Sequence, residues 1–473
     1  MIRNFSARER TEKRPNPSGE QRANSGTIKP FPKPTMSQVT FDPREMITAP
    51  WRKCPSCGKD KFGAHIIDGS RLMRRCRDCG HKQYYHLPKL RKKIIYLDQF
   101  VISNLMKLEN PAVKGHATVI ADPFWRDLHD LLFQLRHLQM ICCPDSGSHV
   151  QESRTSPFNS QLKKTYEQLS GGITFTSFES IECEQIGELA LAWSEGREPA
   201  FDLEPRGVLS KDPNEWNERY YAVGGDNPFI SEERLRQARA RVHAYIARLF
   251  RDVWAQEKRS FEYWYDVERF GYQGNLSNAV MKSRKDRLQV VLAYHSGSTE
   301  ASLENLEKVL SSFAESLLAS LQQIMRFPRS GGMRIPEEVN RLEKEFGMAN
   351  RIADAPFVKL QSLMFASIAM RAAQGQKEPP NEGTTTDIDT VAHLLPYCDT
   401  MFMDNGCRSL LLDVPLALRP PETARVFSPN TKEQFLDYLR SIREGISTEH
   451  IEAIREVYGD DRLAGIPSAQ DKG

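Results

Sequence analysis

The sequence predicts an α/β chain in which a parallel sheet is interrupted by a large helical insertion and preceded by a small cysteine-bearing ribbon. Three observations predict it. Two apolar runs, "IIYLD" and "LQMICCPDS", are separated by helical periodicity, the alternation expected of a βαβ unit. A third, "TMFMD", comes only after a long block of apolar residues at three- and four-residue steps. Two CxxC pairs, "CPSCG" and "CRDCG", sit ahead of the first strand.

Composition narrows the setting. With 473 residues, 39% hydrophobic, the chain can bury a sizeable core over about two to four structural units. No apolar run approaches the ~18 residues that a membrane span requires. The start, "MIRNFSARERTEKRPNPSGEQ", has no apolar core of a secretory signal, so a cytoplasmic protein without membrane association is expected. The cysteines number nine, and four of them form the CxxC pairs, which favours metal binding in a reducing compartment over a disulfide framework. The net charge of +3 hides an asymmetry: residues 1–93 hold 22 Lys/Arg against 8 Asp/Glu, leaving 43 against 54 for the rest. A basic front on an acidic body suits a protein that holds a polyanion at one end and cations at the other, and is equally compatible with plain solubility.

Taken in order, residues 1–45 read as a disordered basic tail, rich in Pro, Ser, Asn, Arg and Lys. Residues 50–88 form the ribbon. The sheet domain begins over 92–156: a strand at 94–97, a helix from "FVISNLMKL", a helix over 123–137 capped by Asp122, a strand over 138–146, and a helix whose Ser148 and Gln151 have capping-box spacing. Residues 157–385 are expected to be mainly helical, with apolar stripes over 233–270, 301–325 and 357–373 and loops near 205–228, 327–336 and 374–386. Strands return at 400–404 and 424–428 within 386–445, followed by a helix with Thr431 and Gln434 as a capping box. Residues 446–473 supply a closing helix and tail.

Cys54 and Cys57, then Cys76 and Cys79, are paired knuckles that can bring four thiolates into a tetrahedron, the closed geometry of structural zinc. Gly58 and Gly80 follow each second cysteine, where the turn favours positive φ. Arg71, Arg74, Arg75, Arg77 and Lys82 surround the site, continued by Lys89, Arg91, Lys92 and Lys93, with Tyr84, Tyr85 and His86 interleaved. Cations neutralise phosphates and aromatic faces stack on bases, so this module is expected to contact nucleic acid. A solvated charged face is the plainer alternative.

The first strand runs into Asp98, an acid with no obvious cation beside it. Glu152 follows the second strand and shares a helical face with His149, which is read either as a proton shuttle or phosphate contact or as a packed histidine. Asp387 and Asp389 open a later helix, and the third strand ends in Asp404. Asp399 is read as structural, and Cys142, Cys143, Cys183, Cys398 and Cys407 as small buried hydrophobes. In an open α/β sheet the carboxyl ends of the strands share one edge, where such acids repel one another unless hard cations such as Mg²⁺ or Mn²⁺ intervene.

This arrangement resembles the PIN-domain nucleases over roughly residues 92–156 and 385–440. In that family an aspartate ends the first strand, a glutamate lies on a helix after the second, an aspartate opens a later helix, and a last acid follows the next strand. Here Asp98, Glu152, Asp387 or Asp389, and Asp404 occupy those places. The last acid stands in "M-D-N" rather than the family's frequent "T-x-D". The resemblance implies metal-dependent hydrolysis of phosphodiester bonds, preferably in single-stranded RNA, with the ribbon and tail capturing the strand. It is compatible with a toxin or defence role. The competing class is a non-catalytic zinc-ribbon adaptor that binds nucleic acid or protein. The helical insertion is open to three uses: shaping a channel, docking a partner, or making a homo-oligomer.

Overall fold

The computed structural model describes residues 46–154, 156–216, 232–296, 312–329, 331–420 and 424–463. The basic tail expected over 1–45, the start of the 301–325 helix and the last residues of the tail lie outside the described residues.

The described residues are mostly helical and contain two four-stranded sheets. The ribbon sheet is an antiparallel meander of β1 (Thr48–Arg52), β2 (Phe62–Ile67), β3 (Arg71–Cys76) and β4 (Lys82–His86). The body sheet comprises β5 (Lys93–Leu97), β6 (Ile141–Cys142), β7 (Thr400–Phe402) and β8 (Arg425–Phe427), parallel throughout in the order β6-β5-β7-β8.

The run "IIYL" has no polar alternation because both faces of β5 are covered. Ile95 and Leu97 pack with Leu105, Leu128, Leu132 and Phe435 from the helices Gln99–Glu109, Pro123–His137 and Lys432–Glu444. Ile94 and Tyr96 pack on the other face with Met364 and Val391 from the helices Pro356–Ala373 and Thr384–Leu394. From β5 the chain moves one way to β6 and later the other way to β7 and β8. The carboxyl ends of β5 and β7 therefore sit side by side at the reversal, the place where an open sheet leaves a crevice.

Several local expectations need correction. The second strand is two residues long rather than spanning 138–146. Ser148 caps nothing: its helix starts at Gly147, and its hydroxyl lies 3.2 Å from that of Thr390. The capping box near 431 is formed by Ser428 with Thr431, not Thr431 with Gln434. The stripe over 233–270 is two helices, Glu232–Leu249 and Phe261–His295, separated by a π-helical turn at Phe250–Trp254 and a break before the Ser260 cap. Asp122 does cap its helix, accepting from Phe124 N–H at 3.1 Å.

The ribbon is not a dangling module. The closing helix Thr448–Tyr458 packs Ile454, Val457 and Tyr458 against Ala64, Ile66 and Leu72 of the ribbon sheet. No described helix is long and apolar enough to cross a membrane.

Candidate functional site

Asp98 follows β5 and Asp404 follows β7, and sheet pairing makes them neighbours: Asp98 N–H donates to the Phe402 carbonyl at 3.0 Å. Each is the N-cap of the next helix, Asp98 accepting from Gln99 N–H and Asp404 from Cys407 N–H, both at 2.6 Å. Capping fixes each carboxylate at a helix N-terminus, where the dipole favours its charge. Glu152 sits on Gly147–Arg154 and Asp387 in the first turn of Thr384–Leu394. The Ser148–Thr390 contact ties these two helices together, and Gln99 Nε2 donates to Ser153 Oγ at 3.3 Å, tying the Glu152 helix to the Asp98 turn. Tyr166 closes the brace by donating to Gln99 Oε1. Four acids from four segments are thus held at one rim.

Their charges interact. Burial pushes Asp98 up to about 7 against the pull of the Gln99 N–H, and the charges of Glu152 and Asp404 add to the rise. Burial also pushes Asp387 up to about 9, assisted by the charges of Asp98, Asp404 and Glu152 and by a hydrogen bond with the Asp404 carboxyl. Glu152 is raised by burial and partly relieved by Arg239. Without cations, then, this rim takes up protons.

Helix phase separates the two candidates on Thr384–Leu394. Residues two apart on a helix point nearly opposite ways. Asp387 faces the other acids, while Asp389 accepts from Gln361 Nε2 at 2.6 Å. His149 is a packed histidine: it is 2% exposed, stacked on Tyr96 at 4.9 Å, and its Nδ1 accepts from Ser146 N–H. Burial lowers it to about 3, so it is neutral. Asp399 accepts from Ile94 N–H at 2.8 Å and Lys93 Nζ at 2.7 Å at the far end of the sheet, a structural tie.

Sequence reading missed Gln99, Thr390 and Arg239. Gln99 was within reach as the residue after the strand-end acid. Arg239 was not, because it comes from the helical block. Its Nη2 is enclosed without a hydrogen-bond partner, and one turn on His243 Nε2 lies 3.1 Å from the Pro380 carbonyl, which seats that helix on the loop leading to Asp387.

In the ribbon, Sγ atoms of Cys54, Cys57, Cys76 and Cys79 all lie within 4.8 Å of one another, a group that could hold a metal ion such as zinc. The Cys54–Cys79 and Cys57–Cys76 separations are 3.5 and 3.7 Å, against roughly 3.8 Å for thiolates in a zinc tetrahedron. Gly58 and Gly80 have φ of 72° and 74°, and each N–H returns to the first cysteine's carbonyl. Among the described residues this tetrad is the set of three or more such donors that closes to that spacing; the carboxylate rim is more open.

The basic residues divide. Arg74 is withdrawn from the nucleic-acid candidates: it is 0% exposed and bonded to Glu456 and to the Pro50 and Phe62 carbonyls. Lys92 is also buried, donating to the Glu215 carbonyl. Arg71 pairs with Asp68, and Arg77 lies over the Trp51 ring at 4.7 Å. Arg75 is half-buried and Lys82 exposed.

No family model, curated protein or solved structure matches the chain.

The raised carboxyls give a testable pH dependence. A group with a raised folded pKa holds protons that the unfolded chain has released, so its penalty is absent below about pH 4 and grows as pH rises through about 7 for Asp98 and about 9 for Asp387. Without added divalent cations the melting temperature is expected to fall between pH 5 and 9, less steeply in Asp387→Asn. After discounting for partial exposure, the relief at pH 9 is on the order of 2–4 kcal/mol. Parallel profiles for the two proteins would remove Asp387 from the interacting set.

Proposed function

We propose that the chain is a metal-dependent nuclease of the PIN type, an endoribonuclease that hydrolyses phosphodiester bonds. The observation that carries this reading is the gathering of Asp98, Glu152, Asp387 and Asp404 from four separate segments at the carboxyl edge of a parallel sheet, with the proton affinity of the first three raised. A fold that merely needed acids on its surface would have no reason to hold them where they oppose one another.

Mg²⁺ or Mn²⁺ fits this donor set. The donors are anionic oxygens, the ligands that these hard ions prefer. When bound, such an ion supplies Lewis-acid polarisation of the phosphate and a water of lowered pKa. Asp98, Glu152, Asp387 and Asp404 would hold it. The caps at Asp98 and Asp404 fix two of these carboxylates, and the Gln99–Ser153 and Ser148–Thr390 contacts fix the helices carrying the others, so the rim is preorganised. Burial and the neighbouring acids favour a proton on Asp387, which a cation held at the rim would displace. The charge of Arg239 partly relieves Glu152, so the helical block also contributes to the electrostatics of the rim. Zinc occupies the cysteine tetrad in this reading, as the staple of a sheet too small to stand on its own core.

The test is cleavage of labelled RNA and DNA by the purified chain, with Mn²⁺, with Mg²⁺, or with chelator. Cation-dependent products ending in 5′-phosphate are expected, with single-stranded RNA preferred. If strands are bound but never cut under any of these conditions, the chain is instead a non-catalytic nucleic-acid-binding adaptor.

A further inference from the structure

We infer that one face of the ribbon sheet is a platform for single-stranded nucleic acid, with Tyr84 stacking on a base and Arg75 and Lys82 taking phosphates. This rests on the reading above that the substrate is a nucleic acid, and it names the form of strand the protein captures. Antiparallel register fixes which residues share the face. Arg75 is opposite Lys82, Met73 opposite Tyr84, and Arg71 opposite His86; on the other side of β3, His65 is opposite Met73 and Gly63 opposite Arg75. The alternate residues Leu72, Arg74 and Cys76 are buried on the reverse face, Leu72 and Arg74 against the closing helix and Cys76 with Cys54 and Phe62.

Gly63 has a steric reason. A Cβ there would collide with the Trp51 ring, Ile47 and the Thr48 carbonyl, so the indole lies on the glycine, with the Arg77 guanidinium 4.7 Å from its centroid. Tyr84 is 57% exposed, with no described contact for its ring.

Charge selects the occupant. Three carboxylates near the ribbon are engaged by other cations: Asp68 by Arg71, Asp78 by Lys59 and Lys61, and Glu456 by Arg52 and Arg74 on the reverse side. Arg75 and Lys82 make no ion pair among the described residues, and Arg75 Nε is enclosed with no acceptor from the protein. Two unpaired cations side by side with the open Tyr84 ring match a strand that offers phosphates and bases together. A duplex hides its base faces and leaves the Tyr84 ring nothing to cover. From β1 to β4 the platform crosses three strand spacings, roughly 14 Å, enough to seat a short run of bases.

The test is fluorescence anisotropy of a labelled 20-nucleotide RNA, the same sequence as DNA, and a duplex, using the full-length Asp98→Asn chain without added divalent cation. Tyr84→Ala is expected to weaken single-strand binding about tenfold while leaving the salt slope unchanged. Arg75→Ala with Lys82→Ala should lower that slope by roughly 1.4. Lys59→Ala with Lys61→Ala, at cations already paired with Asp78, serves as the control, and duplex binding should be weak and insensitive to Tyr84→Ala. Retention of the cysteine-bound metal and of the melting temperature shows that each variant is folded. Single-strand affinity indifferent to both the ring and the cation variants overturns the inference, as does a duplex bound as tightly as the single strand. The two proposals fail separately: an uncleaving chain that still binds through Tyr84 and Arg75 keeps the platform and loses the nuclease. An active chain whose binding ignores this face does the reverse.

Discussion

Replacing Asp98 with Asn is expected to yield a folded protein whose cation-dependent cleavage is reduced by more than about 100-fold, beyond what removing an outer partner of a metal site costs. Asparagine keeps the size of the side chain, and its Oδ1 can still accept from the Gln99 N–H, so the helix cap survives. What disappears is the negative charge between Asp404 and Glu152. For the uncharged rim this is a relief, because Asp98 is held near pH 7 largely by the cost of burying its charge. The variant should therefore melt no lower than the parent at pH 8 without divalent cations, and gain less from added Mn²⁺. A structural acid shows the opposite pattern, losing stability when neutralised. The pairing of lost activity with retained or improved cation-free stability is thus the signature of a carboxylate kept for binding cations. Full activity in Asp98→Asn, or an equal stability increment from Mn²⁺ in both proteins, would dismiss the assignment.

The parts of this site that could be read from sequence are those set by short-range rules. A buried parallel strand is an uninterrupted apolar run, so the charges that end "IIYL" and "TMFM" stood out, and neighbouring strands in a parallel sheet bring such ends together. The knuckles were legible because four thiols around one ion require that spacing. What stayed hidden depends on phase or on distance along the chain. Choosing Asp387 over Asp389 requires knowing that the helix is already under way at Thr384 and which side of it meets the sheet. Ser148 looked like a cap, but its hydroxyl is drawn to Thr390 in another helix, a contact no local pattern announces. Arg239 reaches Glu152 from a helix whose path over the body is set by packing. Arg74 was the avoidable error: a strand alternates sides, so in "RLMRRC" Arg74 had to share its face with Leu72 and Cys76.

That misplaced arginine carries the other large effect. Arg74→Ala is expected to destabilise the joint between ribbon and body by about 3–5 kcal/mol, the range for stripping one partner from a buried ion pair. Nε and Nη2 of Arg74 donate to the side chain and the carbonyl of Glu456, and Nη1 reaches the Pro50 and Phe62 carbonyls at 3.0 and 3.3 Å. One guanidinium thus links β1, β2 and the closing helix, and its loss leaves Glu456 with Arg52 alone and two carbonyls short of a donor. Arg74→Lys should rescue little, since an ammonium does not reproduce a planar fork that addresses four acceptors. The measurement is thermal melting together with limited proteolysis across residues 87–92: the variant should be cut there at temperatures at which the parent resists. Nucleic-acid binding should fall only as far as the ribbon loosens, whereas Arg75→Ala weakens it in a protein that melts normally. If Arg74→Ala melts with the parent yet loses affinity, Arg74 is a contact residue after all, and the face assigned to the strand must be turned over.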